Sequence, residues 1–379
     1  MNNLNLDNIK RIVFKFGTNV LRNDDGVISL SRIFSFIETA AKLHSQGKEI
    51  LIVTSGAVGL GAKRLGITTF EDIGTKQACA AVGQCQLMSI YEKGFSEYNI
   101  NTAQILLTED DFSIRKKYLC LHNTLSRLLE NGAVPIINQN DTVSVDELET
   151  LWAGAKMCFS DNDKLAALVT SELDADLLVI LSDIDGFYDS NPKENPDAKL
   201  IPLVEMVDEK VQALGSDASK GGRGGMKTKL EAAKVVTRSG SAMIIANGKT
   251  PNILNEVFYN NGRCTVFTPS ENLSAKKRWI GYATNVIGKI VVNDCAKKAV
   301  MEQESSLLPI GVIQIINDFK KGDVVSVLDT DGREFARGMI NYNCKDCKKI
   351  MGEHSNKILE ILGYKNYDAI ITRDNLVLL

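Results

Sequence analysis

Residues 11–19 read RIVFKFGTN, an apolar and largely β-branched run of strand length, interrupted by Lys15 and closed by Gly17. The same kind of run recurs in EILIVTSG (49–56), TAQILLT (102–108), AVPIINQ (133–139), DLLVILSD (176–183) and SAMIIANG (241–248). Between them lie stretches with helical spacing, among them SRIFSFIETAAKLHSQG, TLSRLLENG and DKLAALVTSEL. Apolar strands separated by helices predict an α/β fold, a parallel-rich open sheet flanked by helices on both faces. Ligands gather at the carboxyl ends of the strands in such sheets. The exits are KFGTN, TSGAVGLG, NQND and SDIDGFYDSNP, and all four are polar, small or glycine-rich.

The chain has 379 residues, enough for two or three domains. Its hydrophobic content of 44%, charged content of 24% and net charge of −3 are those of an ordinary globular protein, with no general pull toward nucleic acid or anionic membrane. No apolar run reaches membrane-spanning length, and MNNLNLDNIKRIVFKFG lacks a signal-peptide layout, so a cytoplasmic location is expected. The eight cysteines show no disulfide framework. Cys344 and Cys347 form one CxxC with only His354 near it, which falls short of a zinc site, and no protein metal site is expected.

Near residues 270–285 the character changes. ENLSAKKRWIGYA holds three consecutive basic residues, and short alternating strands with Gly and Asp turns follow it: GKIVVND, PIGVIQIIND, GDVVSVLDTDGREFARGMINY and YDAIITRDNLVLL. The expected division is a first domain over 1–275 and, over 276–379, a basic hinge leading into a small β-rich domain. That second part carries 16 basic and 13 acidic side chains, a mild excess.

One further stretch is unusual. Residues 221–229 read GGRGGMKTK and lead into KLEAAKVVTRSG, which has helical spacing. Glycines let main-chain N–H groups approach a ligand and a helix start adds partial positive charge, so the junction suits a polyphosphate; a mobile surface loop with solvated lysines suits it as well. The GxxxxGK[ST] loop is absent, and the first strand does not lead into GxGxxG, which disfavours P-loop NTPases and typical dehydrogenases. Lys15 is costly to bury unless it meets an anion, either a ligand or a neighbouring carboxylate. In SDND (160–163), Ser160, Asp161 and Asp163 equally suit the start of a helix, Ser55 suits an N-cap ahead of AVGLGAKRLG, and Asp141 suits a turn.

Taken in order, FKFGTNVL, VTSGAVGLG, LLTEDDF, VPIINQND, SDND, ILSDIDGFYDSNP and GGRGGMKTKLEAAK resemble the amino-acid kinase family, and within it the branch that phosphorylates the γ-carboxylate of L-glutamate on the way to proline. The resemblance runs from about residue 10 to the end, because KKRWIGYA, SSLLPIGVIQI, GREFARGMINY and ILGYKNYDAIITRDNLVL resemble a PUA domain. It implies catalytic roles for Lys15, Asp163 and Lys229, with Asp163 holding the two lysines. It implies glutamate contacts from Ser55, Asp141 and Asn162. The nucleotide contacts it implies are Lys15, Ser182, Asp183, Arg223, Gly224, Gly225, Met226, Lys227, Thr228 and Lys229, with Mg²⁺ bound through the ATP phosphates and water. Proline inhibition, a homo-tetramer or dimer, and hand-off of product to glutamyl phosphate reductase are further implications. Relatives acting on N-acetylglutamate, carbamate or a phosphorylated acceptor fit less well, given NQND, SDND and the PUA-like tail. PUA domains elsewhere bind structured RNA, but one KKR cluster and a small positive excess give little basic surface, so the tail is expected to be structural or regulatory.

Departures from the family pattern are Gln139 where Glu is usual, Ser160 where Gly is usual, and Arg223 where a small residue or Thr is usual. The segment between Asp141 and Asp161 is also longer than the pattern, with DELETLWAGAKMC in place of a short acidic stretch. These changes bear on glutamate affinity and proline sensitivity more than on the chemistry.

Overall fold

The computed structural model describes residues 8–23, 27–70, 72–143, 162–192, 194–217, 225–270 and 272–379. Two units divide between Asn272 and Leu273. The first is built on β1 (Arg11–Phe16), β2 (Glu49–Val53), β3 (Thr102–Leu107), β4 (Val134–Gln139), β5 (Leu177–Ser182), β6 (Leu203–Val204), β7 (Ala242–Asn247) and β8 (Cys264–Phe267). Their order in the sheet is β3-β4-β2-β1-β5-β7-β8-β6. All six strands expected from the sequence form, and they run parallel to one another; β8 turns antiparallel against β7, and β6 runs parallel to β8.

The reason is visible in β1. Ile12, Val13, Phe14 and Phe16 are buried whichever face they point to, as expected for a parallel strand covered on both sides. Phe16 stacks on Phe36 with ring centroids 4.9 Å apart. The helices of this unit are α1 (Thr18–Leu21), α2 (Leu30–Ser45), α3 (Ala57–Leu65), α4 (Ile73–Ser96), α5 (Glu109–Ser113), α6 (Arg115–Glu130), α7 (Asn162–Glu172), α8 (Glu209–Asp217), α9 (Met226–Arg238) and α10 (Ile253–Tyr259). Ile33, Phe36 and Ile37 of α2, Leu87, Tyr91 and Phe95 of α4, and Leu254 and Val257 of α10 join one continuous core with Ile12, Phe14, Ile50, Ile52, Val179 and Ile244 of the strands.

Helices α3 and α4 cross with their backbones almost touching. A Cβ on Gly61 would lie 1.7 Å from the Cys79 carbonyl oxygen, and one on Gly83 would lie 1.8 Å from the Ala57 carbonyl oxygen. Only hydrogen fits at either position. The crossing ties the start of α3, directly after β2, to the middle of α4.

The second unit holds β9 (Gly288–Val292), β10 (Val312–Ile316), β11 (Val324–Leu328), β12 (Glu334–Met339) and β13 (Leu376–Leu378) in the order β10-β9-β11-β12-β13. The central β9–β11 pair is parallel and the other pairs are antiparallel. Ile290, Val327, Tyr342, Ile350 and Ile370 are among its core residues. The KKRW cluster, read from sequence as a hinge, is helical: α11 (Ala275–Arg278) runs into a π-helical turn at Trp279–Ala283. Arg278 is buried and donates to the Leu273 carbonyl at 3.0 Å. Cys344 and Cys347 begin α12 (Cys344–Ile350), where both are buried free thiols, and burial pushes Cys347 up to about 12.

Gly83→Ala is expected to force α3 and α4 apart and to destabilise the first unit by about 2–3 kcal/mol, read as a lowered urea midpoint. Unchanged stability would mean that the crossing is looser than described here.

Candidate active site

The carboxyl ends of β1, β2, β4 and β5 share one edge of the sheet, and a cavity of about 870 Å³ opens along it. Lys15 enters from β1, with its backbone in register with Val53 on one side and Ile180 on the other. Only 5% of Lys15 is exposed. Its Nζ lies 2.5 Å from Asp163 Oδ1, and Lys229 Nζ, from the first turn of α9, donates to Asp163 Oδ2 at 3.0 Å. Asp163 itself, in the first turn of α7, is completely buried. Burial opposes ionisation of its carboxyl, but the charges of Lys15 and Lys229 and their hydrogen bonds outweigh that, and the group sits at about 2.

Asp163 thus stands at a helix start, as its local sequence suggests, and also closes an ion triad. Ser55, by contrast, is no N-cap. The residue before α3 is Gly56, whose φ of 102° lies in the left-handed region that glycine favours. Ser55 Oγ instead accepts from Asn162 Nδ2 at 2.7 Å, and the same amide nitrogen reaches the Thr54 carbonyl at 2.7 Å and Asn138 Oδ1 at 3.2 Å. Three segments distant in sequence thus meet through one asparagine.

Lys15, Ser55, Asp141, Asn162, Ser182, Asp183 and Lys229 all line the cavity. Ser182 Oγ donates to Asp183 Oδ1 at 3.3 Å where the chain leaves β5. Gly225 precedes α9, and Met226, Lys227 and Thr228 form its first turn without lining the cavity. Met226 is buried and Lys227 exposed, while Thr228 donates to the Gly225 carbonyl at 2.9 Å and stands 3.5 Å from Asp163 Oδ2. Arg223 and Gly224 lie outside the described residues, as do Ser160, Asp161 and the long segment that contains DELETLWAGAKMC.

The decisive comparison concerns the first unit: the amino acid kinase family matches residues 10–247. The chain belongs to the amino acid kinase family. A PUA domain matches residues 288–362. Among curated relatives, the glutamate 5-kinase of Caldanaerobacter subterraneus subsp. tengcongensis is 44% identical over 372 residues, 97% of this chain and 98% of that one. That of Geobacter sulfurreducens is 44% identical over 377 residues, 99% of each. Among solved structures, UMP kinase from Ureaplasma parvum aligns with a TM-score of 0.47 at 20% identity, over 69% of this chain and 99% of that one.

For an amino acid kinase, the arrangement adds residues that sequence reasoning passed over. Asn138 stood in the quoted NQND motif without a role, yet it is 3% exposed, lines the cavity and bonds to Asn162. A polar side chain ending the apolar run VPII was the available signal. Arg22, Lys63 and Lys76 also line the cavity, and their exposed or helical settings gave no signal at all.

Asp163→Asn leaves two buried lysines without their carboxylate and is expected to cost about 3–5 kcal/mol, measured by urea unfolding near neutral pH. Because the folded carboxyl is depressed, its stabilising contribution is complete above about pH 4 and is lost as pH falls toward 2. The stability gap between wild type and Asp163→Asn should accordingly narrow as the pH is lowered through that window; a gap independent of pH would remove the ionised triad.

Proposed function

We propose that the chain is an ATP-dependent kinase that transfers the γ-phosphoryl group of ATP to the γ-carboxylate of L-glutamate, giving L-glutamyl 5-phosphate and ADP. The observation that carries this reading is the triad: two buried lysines hold one carboxylate between them and both line the cavity, where an anion beside them would be stabilised. Likeness to glutamate 5-kinases over nearly the whole chain supports the choice of acceptor.

The chemistry asks little in covalent terms. One oxygen of the glutamate γ-carboxylate, already ionised near neutral pH, attacks the γ-phosphorus; the bond to the β,γ-bridging oxygen breaks, and ADP leaves with the electron pair. No proton needs to be removed, so no general base is required. Asp163, held at about 2 and gripped at both oxygens, suits an organising role and would be a poor proton acceptor. Lys15 and Lys229 stabilise charge on the transferring phosphoryl group from two directions. Ser55, Asn162 and Asp141 seat glutamate, with Asp141 facing its ammonium, while Ser182, Asp183 and the Arg223–Lys229 stretch hold the nucleotide.

A kinase using ATP works with a divalent cation, and the donor set suits Mg²⁺ carried by the ATP phosphates and water. Both oxygens of Asp163 are engaged by lysines, and the cavity carboxylates Asp141 and Asp183 stand at separate strand exits. When bound, Mg²⁺ offsets phosphate charge; no protein ligand is assigned to it. The acyl phosphate product is labile in water, which suits hand-off to glutamyl phosphate reductase. Feedback inhibition by proline at the glutamate pocket, a homo-oligomeric state, a cytoplasmic location and a regulatory or structural part for residues 276–379 belong to the same proposal. Among the described residues no helix is long and apolar enough to cross a membrane.

Purified protein with ATP, Mg²⁺, L-glutamate and hydroxylamine should form ADP and γ-glutamyl hydroxamate together. Lys229→Ala is expected to lower kcat by about 10²–10³. Preference for N-acetylglutamate, or ATP turnover indifferent to any acceptor, would overturn the assignment.

A further inference from the structure

Behind the cavity, α4 presents two polar side chains seven residues apart on its buried face. Tyr91 Oη and Thr54 Oγ1 lie 2.8 Å apart, next to the exit of β2, and Gln84 Oε1 accepts from Asn138 Nδ2 at 3.0 Å near the end of β4. Asn138 Oδ1 in turn accepts from the Gln139 amide at 2.9 Å and from Asn162 Nδ2 at 3.2 Å. A side-chain amide has one accepting end and one donating end. With two donors converging on Oδ1, Nδ2 must face α4, and there only an acceptor satisfies it.

Gln84 supplies that acceptor at a cost. It is 7% exposed, does not line the cavity, and its Nε2 has no hydrogen-bond partner among the described residues. A buried donor left unsatisfied is destabilising, and a methionine of the same length would fill the space without it. Packing alone therefore does not account for a glutamine here. The backbone contact of Gly83 with the first turn of α3 brings the next residue, Gln84, to this depth.

We propose that Gln84 is a positioning residue for the acceptor pocket: it holds the Asn138 amide in the one orientation that presents Oδ1 to Asn162. If that acceptor is removed, Asn138 Nδ2 is left buried without its Gln84 partner and the amide is held only by the two donors on Oδ1, so it turns away from Asn162 more readily. Asn162 would then lose part of its hold at the cavity wall. The proposal rests on the reading above in taking Asn162 as an acceptor contact.

The test compares wild type with Gln84→Met and Gln84→Glu by initial rates at varied acceptor and varied ATP, together with Tm. Gln84→Met is expected to raise KM for the acceptor about tenfold, with kcat and KM for ATP within about twofold of wild type. Gln84→Glu is isosteric and keeps an acceptor oxygen, so its acceptor KM should stay near wild type even if the Met variant folds poorly. Unchanged acceptor KM in Gln84→Met overturns the proposal. So does a raised acceptor KM in Gln84→Glu, or a parallel rise in both KM values tracking a lowered Tm. Should the wild type use an acidic acceptor other than glutamate, the assigned reaction fails, while the same comparison on that acceptor still decides the role of Gln84. A crystal structure of Gln84→Met with Asn138 still bonded to Asn162 and Gln139 would overturn it whatever the acceptor.

Discussion

Asp163 has no exposed surface, yet it is ionised, and that condition holds only while Lys15 and Lys229 stay on either side of it. The three residues come from the end of β1, the first turn of α7 and the first turn of α9, which are separated by well over a hundred residues of chain in the first case and more than sixty in the second. A parallel sheet makes such a meeting routine, since every strand delivers its exit to the same edge. A buried ion cluster is a poor source of net stability, because desolvation offsets most of the Coulombic attraction. What it does is set two ammonium groups at the cavity wall, and the helix starts at α7 and α9 add partial positive charge there.

The same edge is braced from behind by helix packing. Glycine at positions 61 and 83 lets α3 and α4 approach to backbone contact. In consequence the loop that carries Ser55 and the helix that carries Gln84 and Tyr91 are set against one another before any ligand arrives. The apolar core beneath, where Phe16 stacks on Phe36 and Leu87 and Tyr91 pack in, secures the strands whose exits form the wall. The cavity wall in this architecture is thus continuous with ordinary packing, linked to it by a few buried amides.

Much of this was legible in the amino-acid order. Runs such as RIVFKF and LLVILS are apolar at successive positions, which only a strand covered on both faces requires, and the six strands appeared as read. Lys15 announced an anion by its place in such a run; the run alone could not say whether that was a ligand or a carboxylate, and the structure pairs it with Asp163, as the resemblance implied. Asp163 and Ser55 each had a sufficient local explanation as capping residues, and local pattern has no way to weigh that against partners far along the chain. Gln84 was invisible for a related reason: α4 mixes small, polar and apolar residues around its whole circumference, and a glutamine there looks solvated until β4 is placed beside it. In the KKRW cluster, read as a basic hinge, charge gave no sign that Arg278 is buried and donates to the Leu273 carbonyl.

The two lysines do not have equal freedom. Lys15 belongs to the fourth strand of eight, and its main chain is laddered to β2 on one side and β5 on the other. Lys229 rides near the tip of a helix preceded by glycine, so its main chain is held by that helix and by its packing. A sheet centre yields far less than a helix end can tilt or slide. The pair therefore resembles an anvil and a hammer: the main chain of Lys15 is the fixed reference, and a displacement of α9 would carry Lys229 toward or away from it.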